Sequence, residues 1–241
     1  MRGPQAGTPG PPELTVVAIH QPNYAPWLGY FYKIARAQVF VFLDDVSYSK
    51  NSYINRVQID GGGSPRWLTQ PVTYKFGEPI SEVKLAQPDW RQSHLATLRN
   101  YYRDARAFKA AWPRIATMYE VLPEANLART NRALIEAIAS EMAIATKFLA
   151  SSDLDTSGLS ADDRLVAIVK TVAPGGRYLS GKGGASYQDP AKFRAAGIDL
   201  TYTEFAHPVY EQRHPEFLPG LSVLDSIFNV GFADTAALIR P

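Results

Sequence analysis

The chain has no cysteine among its 241 residues. That removes disulfides, thiolate nucleophiles and thiolate metal ligation, and it fits a reducing compartment, for which the cytoplasm is the default expectation. No uninterrupted apolar run approaches the ~18 residues of a membrane-spanning helix, so no membrane association is expected. The Pro- and Gly-rich start, MRGPQAGTPGPPEL, lacks the apolar core of a signal peptide and predicts a disordered tail over residues 1–13. An excess of either charge is missing too. With 25 basic and 23 acidic residues the net charge is +2, which points to neither a nucleic-acid nor a membrane surface, although these totals leave a charged transfer RNA open as a donor. The four histidines, at positions 20, 94, 207 and 214, contain no close pair of the kind a helical zinc motif needs, so no metal site is expected. Also absent are GxGxxG, the GxxxxGK[ST] phosphate loop and the GxSxG serine elbow.

What is present has the rhythm of an α/β protein. LTVVAI (14–19) is a β-branched apolar run with the pattern of a buried strand. Prolines 22 and 26 delay a helix until WLGYFYKIARA (27–37), where Leu28, Phe31, Ile34 and Ala35 recur at helical spacing, and VFVFLDDV follows as a second strand. Two buried strands joined by a crossover helix imply a parallel pair, and ligands in such sheets sit beyond the strands' carboxyl ends. The stretch IHQPNYAPW and the acids Asp44 and Asp45 therefore belong to one rim. GGGSP is a turn between the strand-like NRVQI and RWLTQPV, a hairpin. Amphipathic helices are expected over 88–103, 107–119 and 127–142, an insertion around 88–150. They are followed by the helix LVAIVKTVA, the strand RYLS with the glycine loop SGKGGAS, the short helix DPAKFRAAG, the strand DLTYTEF and a final helix in SVLDSIFNVGF. The expected architecture is one α/β domain over 14–241, with a mostly parallel Rossmann-like sheet and a helical C-terminal part.

The candidate chemistry follows from that placement. His20, at a strand end with Gln21, Asn23 and Tyr24, is an imidazole able to exchange a proton at neutral pH, or a structural hydrogen-bonder. Asp44 and Asp45 point to opposite faces of their strand. One would face the pocket while the other caps a turn or pairs with Lys50 or Arg56. Lys50, Asn55 and Arg56 offer donors for a phosphate or carboxylate, with Arg56 as the preferred anion clamp. Trp90 and His94 share a helix face, either stacked on each other or presenting the imidazole to a cleft. The loop around Ser180, Gly181, Lys182 and Tyr187 offers backbone amides to an anion, or is a turn without a ligand. Tyr210, Gln212 and the acid Asp225 in an apolar helix suggest a structural network or a site.

Taken in order, IHQPNYAPWLGYFYK, VFVFLDDVSYSKNSYINRVQI, WLTQPV, WRQSH, YLSGKGGASY, PVYEQ and LSVLDSIFNVGF resemble the WbqC-like protein family over residues 15–232. The resemblance implies a biosynthetic transferase that modifies an amino group of a sugar or small metabolite, in surface-polysaccharide or specialised-metabolite pathways. Its signatures fall on His20, Gln21, Pro22, Asn23, Tyr24, Trp27, Gly29 and Lys33, and on Asp44, Asp45, Lys50, Asn55 and Arg56. They continue at Trp90 and His94, at Ser180, Gly181 and Tyr187, and at Tyr210, Gln212, Leu221, Ser222, Asp225 and Asn229. Ala25 departs from the family's larger aliphatic residue, which implies a different pocket volume. The layout also resembles the nucleotidyltransferase (HUP-like) half of class I aminoacyl-tRNA synthetases, but Pro26-Trp27-Leu28-Gly29-Tyr30 lacks both histidines of their His-x-Gly-His motif.

These readings converge on transfer of a small acyl or aminoacyl group to an amine. His20 or His94 would act as base, Asp45 would orient it, and Asn23, Asn55 or loop amides would hold the oxyanion. Arg56 and Lys182 would bind phosphate, and Tyr24 and Trp27 would form an aromatic wall. No cofactor is required beyond a nucleotide or aminoacyl donor. A nucleotidyl- or adenylate-forming transferase and a non-catalytic nucleotide-sugar or partner-binding protein are the alternatives.

Overall fold

Apolar residues on both faces make β1 (Val16–His20) and β2 (Val39–Phe42) buried strands. Helix α1 (Leu28–Ala35) joins them, and β1 pairs with β2 in parallel, Ala18 opposite Phe40. A computed structural model describes residues 14–123, 125–156 and 158–240. The segment read as a disordered tail, 1–13, lies outside the described residues.

After β2 the chain forms the antiparallel hairpin β3 (Arg56–Asp60) and β4 (Pro65–Thr69), then a short ribbon of β5 (Val72–Thr73) with β6 (Lys84–Leu85). Helices α2 (Trp90–Tyr102), α3 (Phe108–Glu120) and α4 (Leu127–Glu141) follow where the amphipathic pattern places them. The chain continues through β7 (Lys147–Ala150), α5 (Ala161–Val172), β8 (Arg177–Ser180), α6 (Pro190–Ala195) and β9 (Asp199–Tyr202) to α7 (Val223–Val230) and α8 (Phe232–Ile239).

The central sheet has five strands in the order β7-β2-β1-β8-β9, all parallel. The chain builds outward from β1 through β2 to β7, then returns to the other side of β1 for β8 and β9. This reversal puts a topological switch point between β1 and β8, where the first connections diverge to opposite faces and leave a crevice beyond the carboxyl ends. One face buries Ala18, Phe40 and Phe42 in the main core with Phe31 and Ile34 of α1 and Phe228 of α7. The other packs Val17, Ile19, Val39 and Val41 against Ile168 and Val169 of α5 and Phe193 of α6.

Several elements differ from the sequence reading, among them the β5–β6 ribbon. Strand β7 was not foreseen, because it is a four-residue edge strand of which only Ala150 is fully buried. The final helix is two helices, broken at Gly231, whose φ of 92° is a conformation open to glycine. Among the described residues no helix is long and apolar enough to cross a membrane.

Candidate functional site

A cavity of about 510 Å³ opens at the switch point, lined by His20 and Gln21 beyond β1, Lys33 of α1, Arg164 of α5, and Ser180 with the glycine turn beyond β8. Each group is there for a local reason. Lys33 lies on the last turn of α1, three residues after the buried Tyr30, so it occupies the helix's apolar side. Helical side chains lean toward the N-terminus, and its ammonium reaches back to donate to the Ile19 carbonyl at 2.7 Å. The side chain is 4% exposed. Burial disfavours the charged amine and pulls its pKa from 10.5 down to about 7. Near neutral pH, Lys33 is thus split between ammonium and free amine.

His20 is partly buried, with its ring edge-on to Tyr30 at 4.8 Å. Its Nδ1 lies 3.1 Å from the Gln21 carbonyl. A carbonyl only accepts, so Nδ1 carries the proton and Nε2 keeps the lone pair. Desolvation, reinforced by the charge of Lys33, lowers the imidazole from 6.5 to about 4. His20 is therefore neutral at physiological pH.

The glycine loop is a 3₁₀ turn, Lys182–Ser186, packed tightly behind Ser180. A Cβ on Gly184 would come within 2.4 Å of the Ser180 hydroxyl and 2.6 Å of Gln188 Oε1, so the close approach requires glycine. Ser180 is buried, Gly181 and Gly183 line the cavity, and Tyr187 stands exposed at its mouth. The Lys182 side chain is exposed and outside this lining; its backbone N–H donates to Thr203.

The two aspartates lie beyond the end of β2 rather than on the strand, and they diverge. Asp45 pairs with Arg164 of the switch-point cavity and accepts from Ser151. Asp44 turns to a second cavity of about 280 Å³ on the α4 side of the rim. It caps the 3₁₀ turn Ser151–Asp153, accepting from the Ser152 backbone at 3.0 Å and the Ser152 hydroxyl at 2.9 Å. The expected partners Lys50 and Arg56 are replaced by Arg164 and the serine turn, which only β7 and α5 bring to this rim. Lys50 is exposed. Arg56 stacks its guanidinium on Trp67 at 4.2 Å and donates to the Asn51 carbonyl, lining neither cavity.

The remaining predicted residues are gathered elsewhere. His94 is buried, edge-on to Trp90 at 5.1 Å. Its Nε2 donates to the Thr69 carbonyl at 3.0 Å, and its Nδ1 accepts from the Tyr24 hydroxyl at 2.7 Å, which in turn bonds Tyr119 at 2.6 Å. Both nitrogens are engaged, in a buried network away from the two cavities. Tyr24 thus ties α2 and α3 to the loop beyond β1, while Trp27 packs on Phe205 and stacks with His207 at 6.0 Å. Gly29 makes room for that indole, whose ring would lie 2.4 Å from a Cβ there. Asn55 holds the hairpin through the Gln70 carbonyl, and Asn23 is partly buried in its loop. Ala25 is buried with φ 38°, its carbonyl accepting from Ser222 at 2.7 Å, and it lines neither cavity.

Asp225 is fully buried and accepts from Tyr210 at 2.7 Å, Gln212 at 2.9 Å and Tyr102 at 3.0 Å. Burial raises its pKa, and the three donors partly offset that. The set forms a closed network under α7. Among the described residues, no group of three or more His, Cys, Asp or Glu could hold a metal ion.

Of the predicted site residues, the fold brings His20, Gln21, Ser180, Gly181 and Tyr187 into one cavity, with Asp45 behind Arg164. Lys33 and Arg164 complete it. Lys33 stands among the family's signature positions but was not expected in the site; its signal was a lysine at an apolar-face position of an otherwise apolar helix. Arg164, on a helix far along the chain, gave none.

A model of the WbqC-like protein family matches residues 21–237. The chain belongs to the WbqC-like family. An uncharacterized protein of Mycobacterium tuberculosis, Rv1507c, is 34% identical over 218 residues, spanning 89% of this chain and 94% of that protein. In this WbqC-like chain the matched range begins at Gln21, one residue after His20.

Proposed function

We propose that the switch-point cavity is the reaction site of a transferase that moves a small acyl or aminoacyl group onto the amino group of an amino sugar or small metabolite. The setting would be surface-polysaccharide or specialised-metabolite biosynthesis. One observation carries the reading: the buried amine of Lys33, tuned to about 7, opens on a cavity beside a neutral histidine. An amine acceptor must lose a proton as it attacks a carbonyl, and a general base works best with a pKa near the working pH. Lys33 fits that requirement better than His20, which at about 4 is a poor base.

In the proposed step, the acceptor nitrogen bonds to the donor's carbonyl carbon and the bond to the leaving group breaks. The nitrogen's proton passes to neutral Lys33. His20 Nε2 accepts a hydrogen bond from the attacking amine and orients it. The Ser180 hydroxyl and the Gly183 N–H would donate to the developing oxyanion, since the Lys182 and Gly184 N–H groups are already bonded within the loop. Arg164, held by Asp45, contacts an anionic portion of the donor.

A second reading, nucleotidyl or adenylate transfer, is favoured by one observation, the strand order around β1, which places the crevice where nucleotide phosphates bind in comparable sheets. Magnesium-dependent consumption of ATP with release of pyrophosphate would mark it.

The test is mass spectrometry of purified protein with acyl thioester, aminoacyl adenylate and charged transfer RNA donors against amino-sugar acceptors. The expected result is an acylated amine whose rate of formation rises with pH through about 7, with Lys33→Met losing about 100-fold or more. No product with any donor, or Lys33→Met within about threefold of wild type, overturns the assignment.

A further inference from the structure

The second rim cavity, beyond the carboxyl ends of β2 and β7, has a composition unlike the first. Asp44 lies just beyond β2 and is 7% exposed. Its carboxylate takes the Ser152 hydroxyl and one backbone N–H, and shares the single proton of the Ser151 hydroxyl with Asp45, all neutral donors. Among the described residues no lysine or arginine pairs with it. Buried carboxylates are ordinarily matched by a cation, and this one faces a cavity instead.

Arg129 and Arg132, three residues apart on the first turns of α4, line the same cavity. Arg129 is exposed and, among the described residues, has no carboxylate partner; its backbone N–H is capped by Asn126 at 2.9 Å. Arg132 donates to Glu136 at 2.6 Å and sits 5.8 Å from the Phe42 ring. An apolar patch of the lining comes from Phe42, Ala128 and Ala150. Asp44, the two guanidinium groups and this apolar patch line one cavity, in which Asp153 is a second carboxylate, 4.0 Å from Arg132.

We propose that this cavity binds a small zwitterion, a free α-amino acid, with its ammonium on Asp44 and its carboxylate on Arg129. The volume, about 280 Å³, is small for a nucleotide and is sized for a molecule of this class. The ammonium would supply the cation that Asp44 lacks, and the guanidinium fork of Arg129 can hold a carboxylate through two parallel N–H donors. Side chains of modest size would lie on the Phe42–Ala128–Ala150 patch. The inference does not rest on group transfer at the switch-point cavity, because binding here is read without turnover.

The experiment is isothermal titration calorimetry of the full-length protein with glycine, L-alanine and L-serine as probes, and acetate and methylammonium as single-charge controls. The expected result is saturable binding of at least one amino acid, weakened about tenfold or more in Arg129→Ala and in Asp44→Asn. Neither control should bind comparably. Lys33→Met should bind the amino acid as wild type does, which separates this cavity from the other. Circular dichroism checks that each variant folds; should Asp44→Asn unfold, the exposed Arg129→Ala decides alone. Absence of binding by all three amino acids at millimolar concentration overturns the proposal. So does affinity unchanged in Arg129→Ala, or acetate binding as tightly as alanine.

Discussion

Replacing Lys33 by methionine should make the protein more stable at neutral pH. Methionine fills nearly the same volume without a charge. In the unfolded chain the amine titrates near 10.5, and in the folded protein at about 7. Between those values the unfolded state binds more protons, so stability of the wild type rises with pH across that window and falls as pH drops toward 7. At 1.36 kcal/mol per unit, burial of the ammonium costs the wild type about 4 kcal/mol at pH 7 and under ~1 kcal/mol at pH 10. Against this, the variant leaves the Ile19 carbonyl without its donor, a loss of about 1–2 kcal/mol. Lys33→Met should therefore exceed the wild type by about 2–3 kcal/mol at pH 7 and lose that advantage by pH 10. Urea unfolding of both proteins at pH 7, 8, 9 and 10 measures the difference directly, and tyrosine ionisation largely cancels between them. A difference that stays constant within ~1 kcal/mol across the series would refute the assignment of Lys33 as a buried amine with a lowered pKa. Stabilisation accompanied by loss of product formation is the mark of a group kept for chemistry at the expense of stability.

Two further outcomes are expected. His94 is lowered from 6.5 to about 4 by burial, so the unfolded state binds more protons between those values and stability falls by up to about 3 kcal/mol as pH drops through them. In His94→Gln that acid loss should shrink by a similar amount, whatever the variant costs at pH 7; an unchanged slope in denaturation at pH 4 to 6.5 would contradict it. Gly184→Ala forces Ser180 or Gln188 to move and should cost about 1–3 kcal/mol, whereas Gly183→Ala, with open space around its Cβ position, should stay within about 0.5 kcal/mol. Thermal unfolding distinguishes the pair, and equal effects would count against the tight turn behind Ser180.

The periodicity of apolar residues by itself determined the β1–α1–β2 unit, the β3–β4 hairpin, helices α2 to α4 and the common rim of His20 and the two aspartates. That information is local: each face of a helix or strand must be apolar to be buried, and prolines and glycines mark where the backbone turns. Strand β7 was illegible because an edge strand buries little. The switch point was illegible for a different reason, since β8 could have joined the sheet on either side of β1 and no single segment records which. That choice decides the cavity, bringing Ser180 and the glycine turn to His20 and Lys33. Tertiary packing likewise decided the charge partners. Arg164 meets Asp45 across 119 positions and Tyr24 meets His94 across 70, so the polar groups that sequence gathered into one list are divided among two cavities and two buried networks. The chemical types at the rim follow from the residues written there; the pKa of Lys33 comes from the core that closes over it.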